Sequence, residues 1–525
     1  MANIGFYGSH NAGVVLEERG AWRVIEIERM IGVKNSGYGQ YLTCVTRPDL
    51  IKEILKYIQK TYGISEYETC VYSNTDTIEG SELVRYEEFI PAKNFQQVLH
   101  HQCHAASAFY QTNYKKALII SFDGGGNDGF FNIYLAKDRN TIEEIARLDF
   151  DLGFAYMSFG DYLNDIKREN SLGIGNLVYS GKIMGLCSYG DLVPEWLKPF
   201  KEYYKSKPNG NNYQHLLNEL GSKIGITFST EERLQGQTAW NVAKTSQIAF
   251  EELFLELANP FITKFKKFPL ILTGGCALNI LLNTRIKEEL RKEVFIPPNP
   301  NDCGIASGLL LSHLKPKKAV DLTYSGTRVL DEDCLMMYLE KYYIYKRLNN
   351  DIIVDKLMKG NIIGIVRDTA EHGPRALGNR SIICNPTIPQ MKDILNHKVK
   401  NREWYRPFAP VVRAEDVSKY FEFEGESRWM SFCPKVREEY REKLVSITHI
   451  DNTARVQTVT REQNPWLYDL LTEFEKQSGI GVLLNTSFNV DGKPILSTYK
   501  EACEVFEKTQ MDDLIMQDYI VSKNL

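Results

Sequence analysis

The chain has 525 residues, 43% of them hydrophobic and 25% charged, with a formal net charge of −4. That length exceeds a single hydrophobic core and predicts at least two domains of ordinary globular composition. The near-neutral balance of both halves argues against a large basic nucleic-acid footprint, although a local basic groove stays open, and no apolar run reaches the roughly 18 residues of a membrane span.

Ten cysteines occur without any Cys-x-x-Cys. Cys187, Cys276, Cys303 and Cys384 lie in apolar or motif-like runs and read as reduced, packed thiols. The first six residues lack the basic and apolar regions of a signal peptide, so the expectation is a cytoplasmic protein with no membrane partner.

In chain order, residues 3–8 read as a strand, Ser9-His10-Asn11-Ala12-Gly13 as a tight turn, and residues 14–16 as a returning strand. The pattern recurs as a strand over 117–122, the glycine turn of residues 123–129, and a returning strand over 130–135. Two such units separated by helical sequence predict a duplicated α/β domain with a nucleotide between its halves. Glycine suits these turns because backbone N–H groups can then approach phosphate closely. A plain β-hairpin is an equal alternative on this pattern alone.

Residues 94–112 are expected to be helical, with Asn94 as the cap and Gln97 reaching back to it. His100 and His104 then stand four apart on one side of the helix. With Asp123 in Asp123-Gly124-Gly125-Gly126 they offer two imidazoles and a carboxylate, a set that suits Fe, Zn or Mn. A structural histidine pair is the commoner outcome for the spacing alone. Asp302 is a second candidate carboxylate, or else a helix N-cap. Tyr179-Ser180-Gly181-Lys182-Ile183-Met184-Gly185 lacks the order of a P-loop, so Lys182 is either a phosphate ligand or, taken alone, a solvated surface lysine. Residues 239–268 read as helix, kinked or ended by Pro260. Residues 270–273 form a buried strand that enters Gly274-Gly275-Cys276-Ala277-Leu278-Asn279 and a helix whose N-terminus faces the strand end.

Residues 314–327 read as a linker, which places a domain boundary near 320–335. A strand over 361–366 opens the second part. Arg375, Arg380, Lys400, Arg402, Arg406 and Arg455 all sit in short apolar or glycine-rich surroundings. Guanidinium forks grip phosphate bidentately, so these residues point to a small oxyanion. Asn485 to Asn489, after a strand at 481–484, add neutral hydrogen-bonding groups.

Six motifs occur in order: His100-His101-Gln102-Cys103-His104-Ala105-Ala106-Ser107-Ala108, Gly181-Lys182-Ile183-Met184-Gly185-Leu186, Gly274 to Asn279, His372-Gly373-Pro374-Arg375-Ala376-Leu377-Gly378-Asn379-Arg380-Ser381, Tyr405-Arg406-Pro407-Phe408-Ala409-Pro410, and Asn485-Thr486-Ser487-Phe488-Asn489. Together they resemble the NodU/CmcH family of O-carbamoyltransferases, to which the tobramycin carbamoyltransferase belongs. The resemblance implies an α/β fold with two domains. Residues 1–325 would be an actin-like ATPase domain related to the tRNA threonylcarbamoyl transferase catalytic subunit. Residues 326–525 would be a YrdC-like domain that makes carbamoyl-adenylate from carbamoyl phosphate and ATP. A hydroxyl acceptor would then take the carbamoyl group in the first domain.

The resemblance implies His100, His104, Asp123 and Asp302 as metal ligands, for Fe(II) foremost, with Mn(II) or Mg(II) as alternatives. Gly124, Gly125, Lys182, Gly274, Gly275 and Asn279 would cradle the nucleotide. Arg375, Lys400, Arg406, Arg455, Asn485 and Ser487 would take carbamoyl phosphate, with Arg375 and Lys400 also in catalytic roles. His10 is the candidate general base, because the first turn should face the same cleft. The family usually has His-Asp there, whereas this chain has His10-Asn11, which bears on acceptor contacts. Residues 17–45 and much of 145–240 match the family poorly, and acceptor recognition is expected in them. The acceptor would be a hydroxyl of a sugar, a natural product or a hydroxymethylated nucleobase. The alternatives are a tRNA threonylcarbamoyl transferase-like enzyme and a non-catalytic nucleotide-binding regulator; oligomeric state stays open.

Overall fold

A computed structural model describes residues 1–35, 48–73, 86–166, 175–209, 212–341, 345–490 and 492–523. They fall into two compact units, Met1–Leu322 and Thr323–Leu525. The first unit holds two five-stranded sheets. One contains β1 (Ala2–Tyr7), β2 (Gly13–Glu18), β3 (Ala21–Glu26), β4 (Tyr67–Ser73) and β5 (Ala92–Gln97), in the order β3-β2-β1-β4-β5. The other contains β6 (Ala117–Phe122), β7 (Phe131–Ala136), β8 (Ile142–Leu148), β9 (Leu270–Thr273) and β10 (Val294–Phe295), in the order β10-β9-β6-β7-β8.

The two sheets share one topology. In each, three consecutive strands pair antiparallel, and two later strands add in parallel on the other side of the first. The central strand β6, Ala-Leu-Ile-Ile-Ser-Phe, is buried at every position, as expected of a strand covered on both faces. The duplicated α/β domain read from the two glycine turns is therefore present, in a mixed α/β fold.

Two helices lie between the sheets. The Ile305–Leu314 helix packs on β1, β2 and β4, the His100–Tyr110 helix packs on β6, β7 and β9, and the two helices pack on each other. Their approach needs Gly308, where a Cβ would fall 2.1 Å from the Cys103 carbonyl oxygen.

Several sequence expectations need correction. Asn94 and Gln97 lie in the edge strand β5, paired parallel to β4, so the helix is shorter than residues 94–112 and begins at His100. Its cap is tertiary: Asn127 Oδ1 accepts from the His100 amide at 3.1 Å, and Asp128 Oδ1 accepts from the His101 amide at 2.9 Å. These satisfy amide groups that a helix start leaves open. Pro260 neither ends nor divides the Gly236–Lys264 helix. It sits exposed near the C-terminal end, while Leu253, Phe254, Ala258 and Ile262 hold the buried face. Gly275–Leu278 is a 3-10 turn, and the α-helix begins only at Ile280, capped by Asn279.

The second unit has one eight-stranded mixed sheet. Its strands are β11 (Tyr345–Arg347), β12 (Ile363–Val366), β13 (Arg380–Cys384), β14 (Ala409–Arg413), β15 (Gln457–Val459), β16 (Val482–Ser487), β17 (Asp513–Met516) and β18 (Tyr519–Ser522). The order is β11-β18-β17-β12-β13-β16-β14-β15. The Asn350–Met358 and Pro465–Ser478 helices cover one face with Ile353, Val354, Leu357, Leu467, Leu470 and Phe474 against Ile363, Ile365, Ile383 and Leu483. Asn485 and Ser487, expected just past a strand, lie within β16.

Candidate functional site

In the first unit, polar side chains gather where β1, β6 and β9 end, the edge at which open parallel sheets place ligands. His100 and His104 point from the first turns of their helix, and their Nε2 atoms are 3.1 Å apart. Asp123 follows β6 directly, with Oδ2 at 3.0 Å from His104 Nε2. Asp302 follows β10, with Oδ1 at 3.4 Å from His104 Nε2 and 3.5 Å from His100 Nε2. One donor atom from each of the four residues lies within 4.8 Å of the others. Asp302 is a ligand candidate by position, and the N-cap of the 3-10 turn that it opens is Asn301.

The glycine turns hold this set in place. Asp123 Oδ1 accepts from the Gly124 amide at 2.6 Å, and Oδ2 accepts from the Gly275 amide at 2.7 Å. Gly274 has φ +91°, and a Cβ there would sit 2.2 Å from the Phe122 carbonyl oxygen, so only glycine lets the end of β9 reach the end of β6. Gly126 acts differently, since its missing side chain leaves room for the His100 ring, which a Cβ would approach to 2.7 Å.

The electrostatics follow from burial and opposite charge. Burial works against a charged His104, but hydrogen bonds to Asp123 and Asp302 outweigh it and lift the imidazole to about 9. His100 is lowered, chiefly by burial. Burial opposes ionisation of Asp123 and Asp302 too, yet the neighbouring imidazoles hold both carboxyls below the ordinary range. Two imidazole nitrogens at 3.1 Å beside two carboxylates form a site that a divalent cation fits well. His101, between the two histidines, is not part of it. Its Nδ1 meets Ser121 Oγ at 2.7 Å and its Nε2 meets the Gly129 carbonyl at 2.9 Å, which ties the helix to the glycine turn.

His10, in the β1–β2 turn, joins the same edge, with Nε2 at 3.1 Å from Asp302 Oδ2 and Nδ1 at 3.2 Å from Asn11 Oδ1. Its side chain is 22% exposed, whereas those of His100 and His104 are sealed. Of the expected nucleotide residues, Gly124 faces open space and Gly125 has φ +142°. Gly275 spends its amide on Asp123, and Asn279 spends its side chain on the helix cap and on Gln247. Lys182 is buried in the Tyr179–Leu186 helix, which removes the solvated-surface alternative.

The second unit brings a separate group together. Arg375, Arg402, Arg406 and Arg455 are close enough to act on one another. Burial first and Arg406 next push Arg375 down to about 10, while burial and the other three guanidiniums push Arg455 further down. Neither Arg375 nor Arg455 has an ion-pair or hydrogen-bond partner for its guanidinium among the described residues. Arg406 lies 3.5 Å from Glu403, and Arg402 donates to Asn396 Oδ1 at 2.7 Å and stacks 4.2 Å from the Phe408 ring centroid.

Lys400 ends a π-helical turn, Leu395–Lys400. Its buried ammonium donates to the Ser487 carbonyl at 2.6 Å, the Asn489 carbonyl at 2.8 Å and Asn489 Oδ1. Lys400 and Ser487 are thus brought together, and Asn489, at the end of the same motif, completes their contact. Asn485 is buried and donates to the Ala376 carbonyl at 3.1 Å and Gln457 Oε1 at 2.7 Å, so it braces the loop that carries Arg375. Arg380 does not face a cleft. It is fully buried, with its guanidinium on the carbonyls of Arg367, Asp368 and Asn379. Glu371, missed by sequence reasoning, accepts with Oε1 from the amides of Leu377 at 2.6 Å and Asn379 at 2.8 Å, and so shapes the same loop.

No helix among the described residues is long and apolar enough to cross a membrane, and the described cysteines form no disulfide with one another.

The sequence of this chain matches the model of the carbamoyltransferase N-terminus over residues 37–311 and that of the carbamoyltransferase C-terminus over residues 354–523. It is 33% identical over 476 residues to the uncharacterized protein sll1178 of Synechocystis sp., covering 81% of this chain and 75% of that one. It is 32% identical over 458 residues to the nodulation protein NolO of Bradyrhizobium diazoefficiens, covering 81% of this chain and 78% of the relative. To the 3'-hydroxymethylcephem-O-carbamoyltransferase of Amycolatopsis lactamdurans it is 34% identical over 359 residues, covering 65% of this chain and 64% of the relative. The chain therefore belongs to the carbamoyltransferase family, in its NodU/CmcH branch, and is a carbamoyltransferase.

Proposed function

We propose that the protein is an ATP-dependent O-carbamoyltransferase that works in two stations. In the second unit, carbamoyl phosphate binds at Arg375, Arg406 and Arg455, water cleaves it to carbamate and phosphate, and a carbamate oxygen then attacks the α-phosphorus of ATP, which gives carbamoyl-adenylate and releases pyrophosphate. In the first unit a hydroxyl attacks the carbamoyl carbon and AMP leaves. The observation that carries the reading is the guanidinium cluster, in which Arg375 and Arg455 stand unpaired among like charges. Such a group is stabilised by a multiply charged oxyanion, which each fork can grip bidentately. Lys400, Ser487 and Asn489 lock the adjoining turn, and Asn485 fixes the Arg375 loop.

The first unit is best read as an actin-like ATPase domain related to the tRNA threonylcarbamoyl transferase catalytic subunit, and the second as YrdC-like. The repeated strand order of the two sheets supports the first assignment. Gly124, Gly125 and the Gly274–Gly275 turn would border the nucleotide. His100, His104, Asp123 and Asp302 would hold a divalent metal. Two imidazoles in the donor set favour Fe(II) over Mg(II), with Mn(II) between them. When bound, the metal supplies Lewis-acid stabilisation of oxygen that gains charge.

His10 is the residue placed to accept the proton of the attacking hydroxyl. With Nε2–H directed at Asp302, its Nδ1 lone pair is the basic site, and the carboxylate stabilises the imidazolium that forms. Asn11, where the family usually has Asp, then accepts with Oδ1 from the Nδ1–H of that imidazolium, while its amide N–H donates to Asn35 Oδ1 at 3.3 Å. The acceptor is a hydroxyl of a sugar, natural product or hydroxymethylated base. The name of the cephem relative favours a hydroxymethyl group on a small molecule.

The test is to supply ATP with carbamoyl phosphate and follow pyrophosphate, then to screen hydroxyl compounds by mass spectrometry for replacement of H by CONH2. Pyrophosphate formed only with threonine and bicarbonate would overturn this reading in favour of threonylcarbamoyl transfer.

A further inference from the structure

Asp302 serves two sets of groups at once. Its Oδ1 faces His104 Nε2 at 3.4 Å and His100 Nε2 at 3.5 Å. Its Oδ2 accepts from the Tyr7 hydroxyl at 2.6 Å and lies 3.1 Å from His10 Nε2. Tyr7 ends β1, is fully buried, and packs its ring 6.3 Å from that of His100, centroid to centroid. His10 stands three residues further on, in a turn, and is partly open to solvent. Two donors thus meet one carboxylate oxygen, and they differ in how free they are to leave it.

We propose that Tyr7 is a positioning residue: its hydroxyl holds the outer oxygen of Asp302, so that the inner oxygen stays aimed at His100 and His104 while His10 engages substrate. The proposal rests on the reading that these residues hold a metal. A carboxylate ligand turns about its Cβ–Cγ bond unless its second oxygen is also held, and such outer partners govern metal affinity. A short O–H···O⁻ bond to a buried phenol is the stronger type of hydrogen bond. Because the ring is packed at the end of a central strand, it cannot swing away. His10 must reorient or change its proton when a hydroxyl arrives, so it is unsuited to be the sole anchor.

The test measures Mn(II) binding to the full-length protein, from the electron paramagnetic resonance signal of free Mn(II). Tyr7→Phe keeps the ring and removes only the hydroxyl, and it should weaken Mn(II) binding about 10–100-fold. Placing 3-fluorotyrosine at position 7, which retains the hydroxyl, should restore it. His10→Ala should keep Mn(II) affinity within about tenfold of wild type while carbamoyl transfer is lost. Wild-type affinity in Tyr7→Phe overturns the proposal, as does a loss in His10→Ala equal to that in Tyr7→Phe. Should Tyr7→Phe fail to fold, His10→Ala decides alone: Mn(II) affinity within about tenfold of wild type leaves Tyr7 as the anchor of that oxygen and supports the proposal, and a larger loss overturns it. If the wild-type protein itself binds no Mn(II), the metal reading falls and takes this proposal with it; unchanged binding in Tyr7→Phe leaves the metal reading standing.

Discussion

Arg375→Gln should make the empty protein more stable and blind to phosphate. Burial and the neighbouring Arg406 bring this guanidinium from the ordinary 12.5 down to about 10. Taken in full, that drop corresponds to roughly 3 kcal/mol against the charged form, at about 1.4 kcal/mol per pH unit, and because Arg375 is only partly shielded from solvent, screening leaves less than that. A neutral side chain of similar reach removes the penalty, although some of the gain is lost with the aliphatic contacts of the arginine. The net expectation is a gain on the order of 1–3 kcal/mol in the ligand-free second unit. For a unit of this size, that raises the melting temperature by about 2–10 °C. Inorganic phosphate or carbamoyl phosphate should raise the melting point of the wild-type protein and leave that of Arg375→Gln nearly unmoved. This is the usual exchange of function for stability at a strained site. Scanning calorimetry with and without phosphate decides the matter. A variant that melts lower than wild type in buffer, or still responds fully to phosphate, refutes the idea that Arg375 is a charged group waiting for an anion.

In the metal-free protein, His104 is raised from 6.5 to about 9, so its pairing with Asp123 and Asp302 stabilises the fold fully below pH 6.5 and is lost as pH rises through 9. Melting temperatures from pH 6 to pH 9.5 should therefore fall more steeply for wild type than for His104→Asn, and parallel curves would contradict the assignment. Asp123 and Asp302 have lowered carboxyl pKa values, so their contribution is present above the ordinary carboxylate range and is lost as pH falls below that range through the lowered folded-state values. Divalent metal, which competes with the proton on His104, should bind more tightly as pH rises from 6 to 9, as measured by titration at each pH. Gly126→Ala puts a Cβ 2.7 Å from the His100 ring and should abolish transfer while ATP- and carbamoyl phosphate-dependent pyrophosphate release continues. Lys400→Met unlocks the Ser487–Asn489 turn and should reduce that release by at least about tenfold, with transfer from pre-formed carbamoyl-adenylate preserved.

Much of the first unit is legible in the sequence because its central strands are continuous apolar runs that end in glycine turns. Strands β6 and β9 have the bounds their sequence predicts, since a buried strand followed by Gly-Gly leaves little local choice. The helix expected from residue 94 fails for a local reason. Asn94 and Gln97 carry the pattern of a capping box, but that segment completes a sheet by pairing with β4, and the true cap comes from Asn127 and Asp128 in a later turn. Pro260 carries less weight than its type suggests, because a proline on the exposed side of a long helix with a well-packed inner face costs a hydrogen bond and not the helix.

Among the candidate site residues, the sequence marks types but not roles. Arg375 and Arg380 stand in one motif with similar surroundings, yet one joins a cluster of like charges and the other is walled in by backbone carbonyls. Asn279 and Asn485 have the look of ligand contacts, and the structure also gives them work as a helix cap and a loop brace. Tyr7 gives no signal at all, being one apolar residue in an apolar strand.

The sequence by itself determined the family, the residue types of both sites and the duplicated strand–turn–strand plan. These depend on local pattern and on which chemical groups stand at motif positions. Only the tertiary structure decided which oxygen of Asp302 faces the histidines, which arginines lack a partner, and which glycines make room for a neighbour and not for a ligand. Those outcomes depend on side chains that meet across hundreds of residues, such as Tyr7 with Asp302. The close packing at the ends of β1, β6 and β9 sets such distances, and no spacing along the chain encodes them.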